Sequence, residues 1–137
     1  MNLETCNVNS MEIVSEHDVL KAMDYTSDLA QQLGYLENEQ LFLCLVTEES
    51  LVNALEYGEG NSIEILWNTS EEELEICIKQ KGKLFHFEKS DKLNYGSRGR
   101  GMQLILNIMD DVWLEEVGEM IILHMKKVLN HNGMKVS

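Results

Sequence analysis

Proline is absent from this chain, and no internal repeat or low-complexity tract interrupts it. Cysteine is scarce. Cys6, Cys44 and Cys77 have no C-x-x-C spacing, and Cys44 and Cys77 fall in apolar stretches. They read as small buried hydrophobes in a reducing cytoplasm. The four histidines are scattered without metal-ligand spacing, which argues against a zinc site built by the chain. No apolar run approaches the roughly 20 residues that span a bilayer, and the N-terminus lacks a basic-then-apolar signal pattern. Positive charge is also in short supply. Lys and Arg number 11 against 24 Asp and Glu, a net charge of −13. General nucleic-acid binding is excluded by that balance, because phosphate contacts need a basic face.

What is present suits one globular domain. An apolar content of 44% over 137 residues supports a single two-layer core and is too little chain for two ordinary ones. The few cations are unevenly placed. Lys79, Lys81, Lys83, Lys89, Lys92, Arg98 and Arg100 are seven of the 11, gathered into one stretch. That gathering is a local anion-binding signal inside an acidic protein.

Residues 1–9 are polar and expected to be loose, and a short strand is expected over 11–14. Ser15 and Asp18 form a capping-box pattern. Val19, Ala22, Met23, Thr26, Ala30 and Leu33 then keep helical period up to a stop at Gly34. Asn38 is placed to cap a second helix that runs to about Tyr57 and ends at Gly58. Ile63, Ile65 and Trp67 alternate with polar neighbours, and Leu74, Ile76 and Ile78 do so again, which predicts an antiparallel hairpin with one face on a core. The same phase carries Gln80 inward. An irregular basic stretch to Arg98 precedes a helix from about Gly101 to Met109. Two strands, near 112–117 and 120–127, close the fold around Gly118, and 128–137 reads as a polar tail. The predicted fold is an α+β two-layer sandwich.

Two stretches carry chemistry. In Thr47–Gly58 the side chains of Glu49 and Asn53 lie one helical turn apart on one face. The apolar stripe of that helix is expected through Leu41, Leu45, Val52 and Leu55, leaving a carboxylate and a carboxamide at the edge of a core. Further on, Gly99-Arg100-Gly101-Met102-Gln103-Leu104-Ile105 sets two glycines at a helix start. There the backbone can approach a ligand and free N–H groups can hold phosphate oxygens.

With these motifs in this order, residues 10–127 resemble the GHKL (Bergerat-fold) ATPase/kinase superfamily, and within it the bacterial anti-sigma factor serine kinases and their partner-switching relatives. Glu49 to Ala54 looks like the N box. Gly99 to Gly101 with Asn107-Ile108-Met109-Asp110-Asp111-Val112 looks like the G2 box and its sequel. The resemblance implies helices on one face of a mixed, mostly antiparallel sheet, with an ATP site between the layers and a mobile lid over it. It implies Glu49 as the base that activates an attacking hydroxyl and Asn53 as a Mg²⁺ ligand. Gln80, Gly82, Arg98, Gly99, Arg100, Gly101 and Met102 would contact the nucleotide. The implied partners are a sigma factor and an anti-sigma factor antagonist carrying the target serine, and a homodimer is one expected assembly.

One departure matters. The family's G1 box is D-x-G-x-G, whose Asp accepts from the adenine amino group, but here it reads Gln80-Lys81-Gly82-Lys83-Leu84. Gln80 keeps a carbonyl acceptor without charge assistance, and Leu84 lacks glycine's backbone freedom. Three alternatives follow: a serine/threonine protein kinase, a non-enzymatic interaction module on the same fold, or a switch protein that activates a phosphatase.

Overall fold

The computed structural model describes residues 7–57, 62–82 and 97–129. Strands β1 (Asn7–Ile13), β2 (Ile63–Thr69), β3 (Glu73–Lys81), β4 (Asp111–Val117) and β5 (Met120–Val128) form one sheet in the order β1-β2-β3-β5-β4. Every pairing among the described strands is antiparallel, so the sheet, expected to be mixed and mostly antiparallel, is wholly antiparallel among the described residues. The reason is topological: β4 lands on the edge and returns through a turn at Gly118, so β5 inserts beside β3 in the opposite direction. Gly118 has φ +60°, which favours glycine. Helices α1 (Glu16–Leu33), α2 (Glu37–Tyr57) and α3 (Ser97–Ile108) form the second layer. The core sits between the layers, where Ile13, Leu43, Leu51, Ile65, Trp67, Ile76, Ile105 and Met125 are buried.

Alternation predicts the sheet well. Ile63, Ile65 and Trp67 of β2 and Leu74, Ile76, Ile78 and Gln80 of β3 all face inward. The chain ends of the domain differ from expectation. β1 begins at Asn7, not Met11, because residues 7–9 pair with Thr69, Asn68 and Trp67 of β2. At the other end Val128 and Leu129 belong to the fold rather than to a tail. The Asp110 carboxylate accepts from the Val128 N–H at 2.7 Å, and Leu129 is buried in the core. Residues 1–6 and 130–137 lie outside the described residues.

Ser15 caps α1, its hydroxyl accepting from the Asp18 N–H at 3.4 Å, and Gly34 ends the helix at φ 101°. Asn38 does not cap α2. The helix starts at Glu37, and the Glu39 carboxylate accepts from the Leu36 N–H at 3.0 Å, the reciprocal half of a capping box. The buried face of α2 runs through Leu43, Val46, Thr47, Ser50, Leu51 and Ala54, while Leu41 is exposed. Small hydroxylated residues win this face because α1 and the sheet satisfy them. The Trp67 indole N–H donates to Thr26 Oγ1 at 2.9 Å, the Thr26 and Thr47 hydroxyls bond at 2.8 Å, and the Thr47 hydroxyl donates to the Leu43 carbonyl at 2.9 Å. Every polar atom in that buried chain has a partner, which burial requires.

Candidate nucleotide site

The site grows from the edge of the buried face of α2. Glu49 and Asn53 are half-buried, one turn apart, beside the buried Ser50 and Ala54. Against them lies α3, which packs through the buried Ile105, with the buried Met109 just past its end. Gly101 is the point of closest approach: a methyl group there would overlap Glu49 Oε1 and lie 3.6 Å from Asn53 Nδ2. The bare Cα of Gly101 therefore leaves room for the Glu49 carboxylate in this position.

The start of α3 differs from expectation. The helix begins at Ser97, so Gly101 lies within it and Gly99 falls in its first turn. The expected start was near Gly101, and packing against α2 offsets the low helix propensity of the two glycines. The consequence is chemical. Free backbone N–H groups belong to the first turn of a helix, which here holds Arg98 and Gly99, while Gly101 serves by lacking a side chain.

On the sheet side, Gln80 closes β3. It is only 5% exposed, and its Oε1 is buried without a hydrogen-bond partner among the described residues. Gln80 shares a small cavity with Ser50, Asn53, Ala54, Ile78, Met102, Ile121 and Leu123. The space left between them is about 10 Å³, room for about one water molecule. Gly82, two residues on, donates its N–H to the Glu119 carbonyl at 2.9 Å, and among the described residues a methyl group there would meet only Ile121 Cδ1 at 3.6 Å. Lys79 and Lys81 alternate with Gln80 and so point from the opposite face of the strand, and Lys81 Nζ lies 3.9 Å from Glu119. Lys83, Leu84, Lys89, Lys92 and the expected lid over 83–96 lie outside the described residues.

The structure thus gathers Asn53, Gln80 and Met102 about one cavity, sets Gly101 against Glu49 and Asn53, and puts Arg98, Gly99 and Arg100 in the adjoining helical turn. Sequence reasoning missed Ser50, Ala54, Ile121 and Leu123 as lining residues. Their signal was available only as small residues one position from the Glu49/Asn53 row and as inward positions of a strand paired with β3. Cys77, on the far side of the sheet, and Cys44, on α2 against α1, are half-buried rather than core residues. Burial first, then the Glu75 carboxylate, pushes the Cys77 thiol up to about 12. His124 also joins Cys77 and Glu75 in a cluster of metal-ligating groups. Strand pairing brings them together, which linear spacing cannot show.

An acidic helix laid over an antiparallel sheet, with a glycine-bearing helix against its carboxylate, is the layered α+β arrangement of the GHKL fold. The chain belongs to the histidine kinase-like ATPase domain family, whose model matches residues 15–127. That family generally binds ATP and Mg²⁺. No curated protein matches the sequence. Among solved structures, one similar chain belongs to the crystal structure of the SiaB-SiaC complex from Pseudomonas aeruginosa. Its TM-score is 0.63 at 11% identity, over 88% of this chain and 89% of that one. At such identity the likeness speaks for the fold. No helix among the described residues is long and apolar enough to cross a membrane.

Proposed function

We propose that this chain is a cytoplasmic partner-switching regulator of the anti-sigma factor kinase type, which binds Mg²⁺-ATP between α2 and β3 and phosphorylates a serine on a protein partner. The observation that carries the reading is the unpartnered Gln80 acceptor, buried in a cavity that Asn53 also lines. A buried acceptor without a partner costs about 1–3 kcal/mol, and the adenine amino group is a donor of the right kind to relieve it. Asn53 would hold the metal through its amide oxygen, the hard ligand that Mg²⁺ prefers. Backbone N–H groups around Gly99, with Arg98 and Arg100, would hold phosphate oxygens. Bound nucleotide supplies the phosphoryl group, and the protein contributes mainly positioning and electrostatics. Glu49, kept in place by the bare Cα of Gly101, would accept the proton of the attacking serine hydroxyl. The likeness to a chain from a two-protein complex supports a protein partner.

The test uses ATP labelled in the γ-phosphate, incubated with the purified chain and a lysate of its source cells. Label should appear on a serine of one protein with the parent. Glu49→Gln should bind nucleotide about as well and lose transfer by about 10²–10⁴-fold. Full transfer by Glu49→Gln would remove Glu49 as the base. A second reading, a binding module without turnover, is favoured by one observation: about 10 Å³ of free space is too little for a purine until Met102 moves. Absence of nucleotide binding, together with no labelled product from any lysate, would support that module.

A further inference from the structure

The open face of the sheet, turned away from Gln80, carries a second constellation. Glu75 and Cys77 stand on β3, two residues apart and so on one face, and His124 is the cross-strand partner of Cys77 on β5. His124 Nδ1 lies 3.4 Å from Cys77 Sγ and 2.8 Å from Glu75 Oε2, and Cys77 Sγ lies 3.5 Å from the same carboxylate oxygen. Tetrahedral zinc with ordinary bond lengths separates a sulfur from a nitrogen or oxygen ligand by roughly 3.6 Å, and a nitrogen from an oxygen by roughly 3.3 Å. Both sulfur separations fit with almost no movement. The nitrogen–oxygen pair has to open by about half an ångström.

His124 is also oriented from behind. Its Nε2 lies 2.8 Å from Glu115 Oε1 on β4, and its ring stacks on Trp113 at 4.7 Å with the planes 3° apart. A carboxylate on one ring nitrogen keeps the proton there and leaves the other nitrogen's lone pair for a metal, the usual support of a metal-bound histidine. Lys126, the cross-strand partner of Glu75, does not compete for the centre. Lys126 Nζ lies 3.6 Å from Glu73 and 5.7 Å from the Trp113 ring centroid. Without a metal, the imidazole bridges Glu75 and Glu115 through its two ring nitrogens. That arrangement gives the Cys77 thiol only a weak bond to Glu75.

We propose that Glu75, Cys77 and His124 form a zinc site, with Glu115 as the positioning residue behind His124 and water at the fourth position. Thiolate, imidazole and carboxylate together select zinc over the Mg²⁺ expected at Asn53. On binding, Zn²⁺ takes the thiolate sulfur, and the displaced thiol proton passes to solvent. The clamp would tie β3 to β5 independently of any nucleotide.

Cobalt(II) added to metal-free protein tests this. One equivalent should give a thiolate-to-cobalt charge-transfer band that zinc abolishes. Cys77→Ser should lose the band, whereas a Cys6→Ser/Cys44→Ser double variant keeps it. Glu115→Gln should weaken affinity by about 10–100-fold. X-ray absorption at the zinc edge of the unaltered protein, which needs no variant to fold, should show one sulfur and at least one imidazole nitrogen. Absence of the band, its survival in Cys77→Ser, or a zinc shell without sulfur would overturn the site.

Discussion

Gln80 is the residue at which the fold and the chemistry pull apart. Fold consistency would put an apolar side chain at this inward position of β3, yet an amide oxygen is buried there without a partner. An aspartate would accept from adenine with charge assistance. Gln80→Asp should therefore tighten ATP binding by roughly tenfold, about 1.4 kcal/mol. It should also lower the melting temperature of the empty protein, because a new carboxylate is desolvated. Calorimetry and thermal melting read the two effects separately, and unchanged affinity would detach position 80 from adenine. Gly101→Ala makes a different demand. Its methyl group overlaps Glu49 Oε1, the mobile end of a long side chain, so the carboxylate should move rather than the helix. Stability should hold or rise slightly, since Ala is the better helix former. Phosphoryl transfer should fall by about 10²-fold, the scale of a misplacement near 1 Å. Unaltered turnover would show that Glu49 need not sit where it does.

At the scale of elements, α2 shows where sequence reading stops. Strand β3 was legible because alternation has only two phases, and apolar Leu74, Ile76 and Ile78 fix which one holds. Helix α2 is apolar on several sides, so its pattern does not choose a face. Leu41, expected in the stripe, is exposed, and Thr47 and Ser50 are buried instead. The choice is made by Trp67 and Thr26, distant residues whose hydrogen bonds reach Thr47. Thr26→Val, nearly isosteric, tests that relay. It leaves the Trp67 N–H without its acceptor and should cost about 1–3 kcal/mol for each polar group left unsatisfied. Denaturant unfolding measures the loss. A change under about 0.5 kcal/mol, ordinary for a surface site, would mean that the relay contributes little.

For the whole molecule, the order of motifs revealed more than their individual strength. Glu49 and Asn53 on a helix, and two glycines near the start of a later one, pointed to a layered nucleotide fold, and the five-stranded sheet with its helical layer bears this out. The interior of the site was less legible. Ile121 and Leu123 reach the cavity only through the pairing of β5 with β3, and the Cys77–His124 contact spans 47 residues by the same route. Both are properties of register, which no local pattern specifies. The proposed function requires one Mg²⁺-dependent nucleotide site between α2 and β3. Calorimetric titration of the chain with ATP, with and without Mg²⁺, tests it most directly when repeated on Asn53→Ala. The account predicts one site per chain, tighter with Mg²⁺ in the parent, and little Mg²⁺ effect in the variant. Binding that is absent in the parent, or equal with and without the metal, would contradict it.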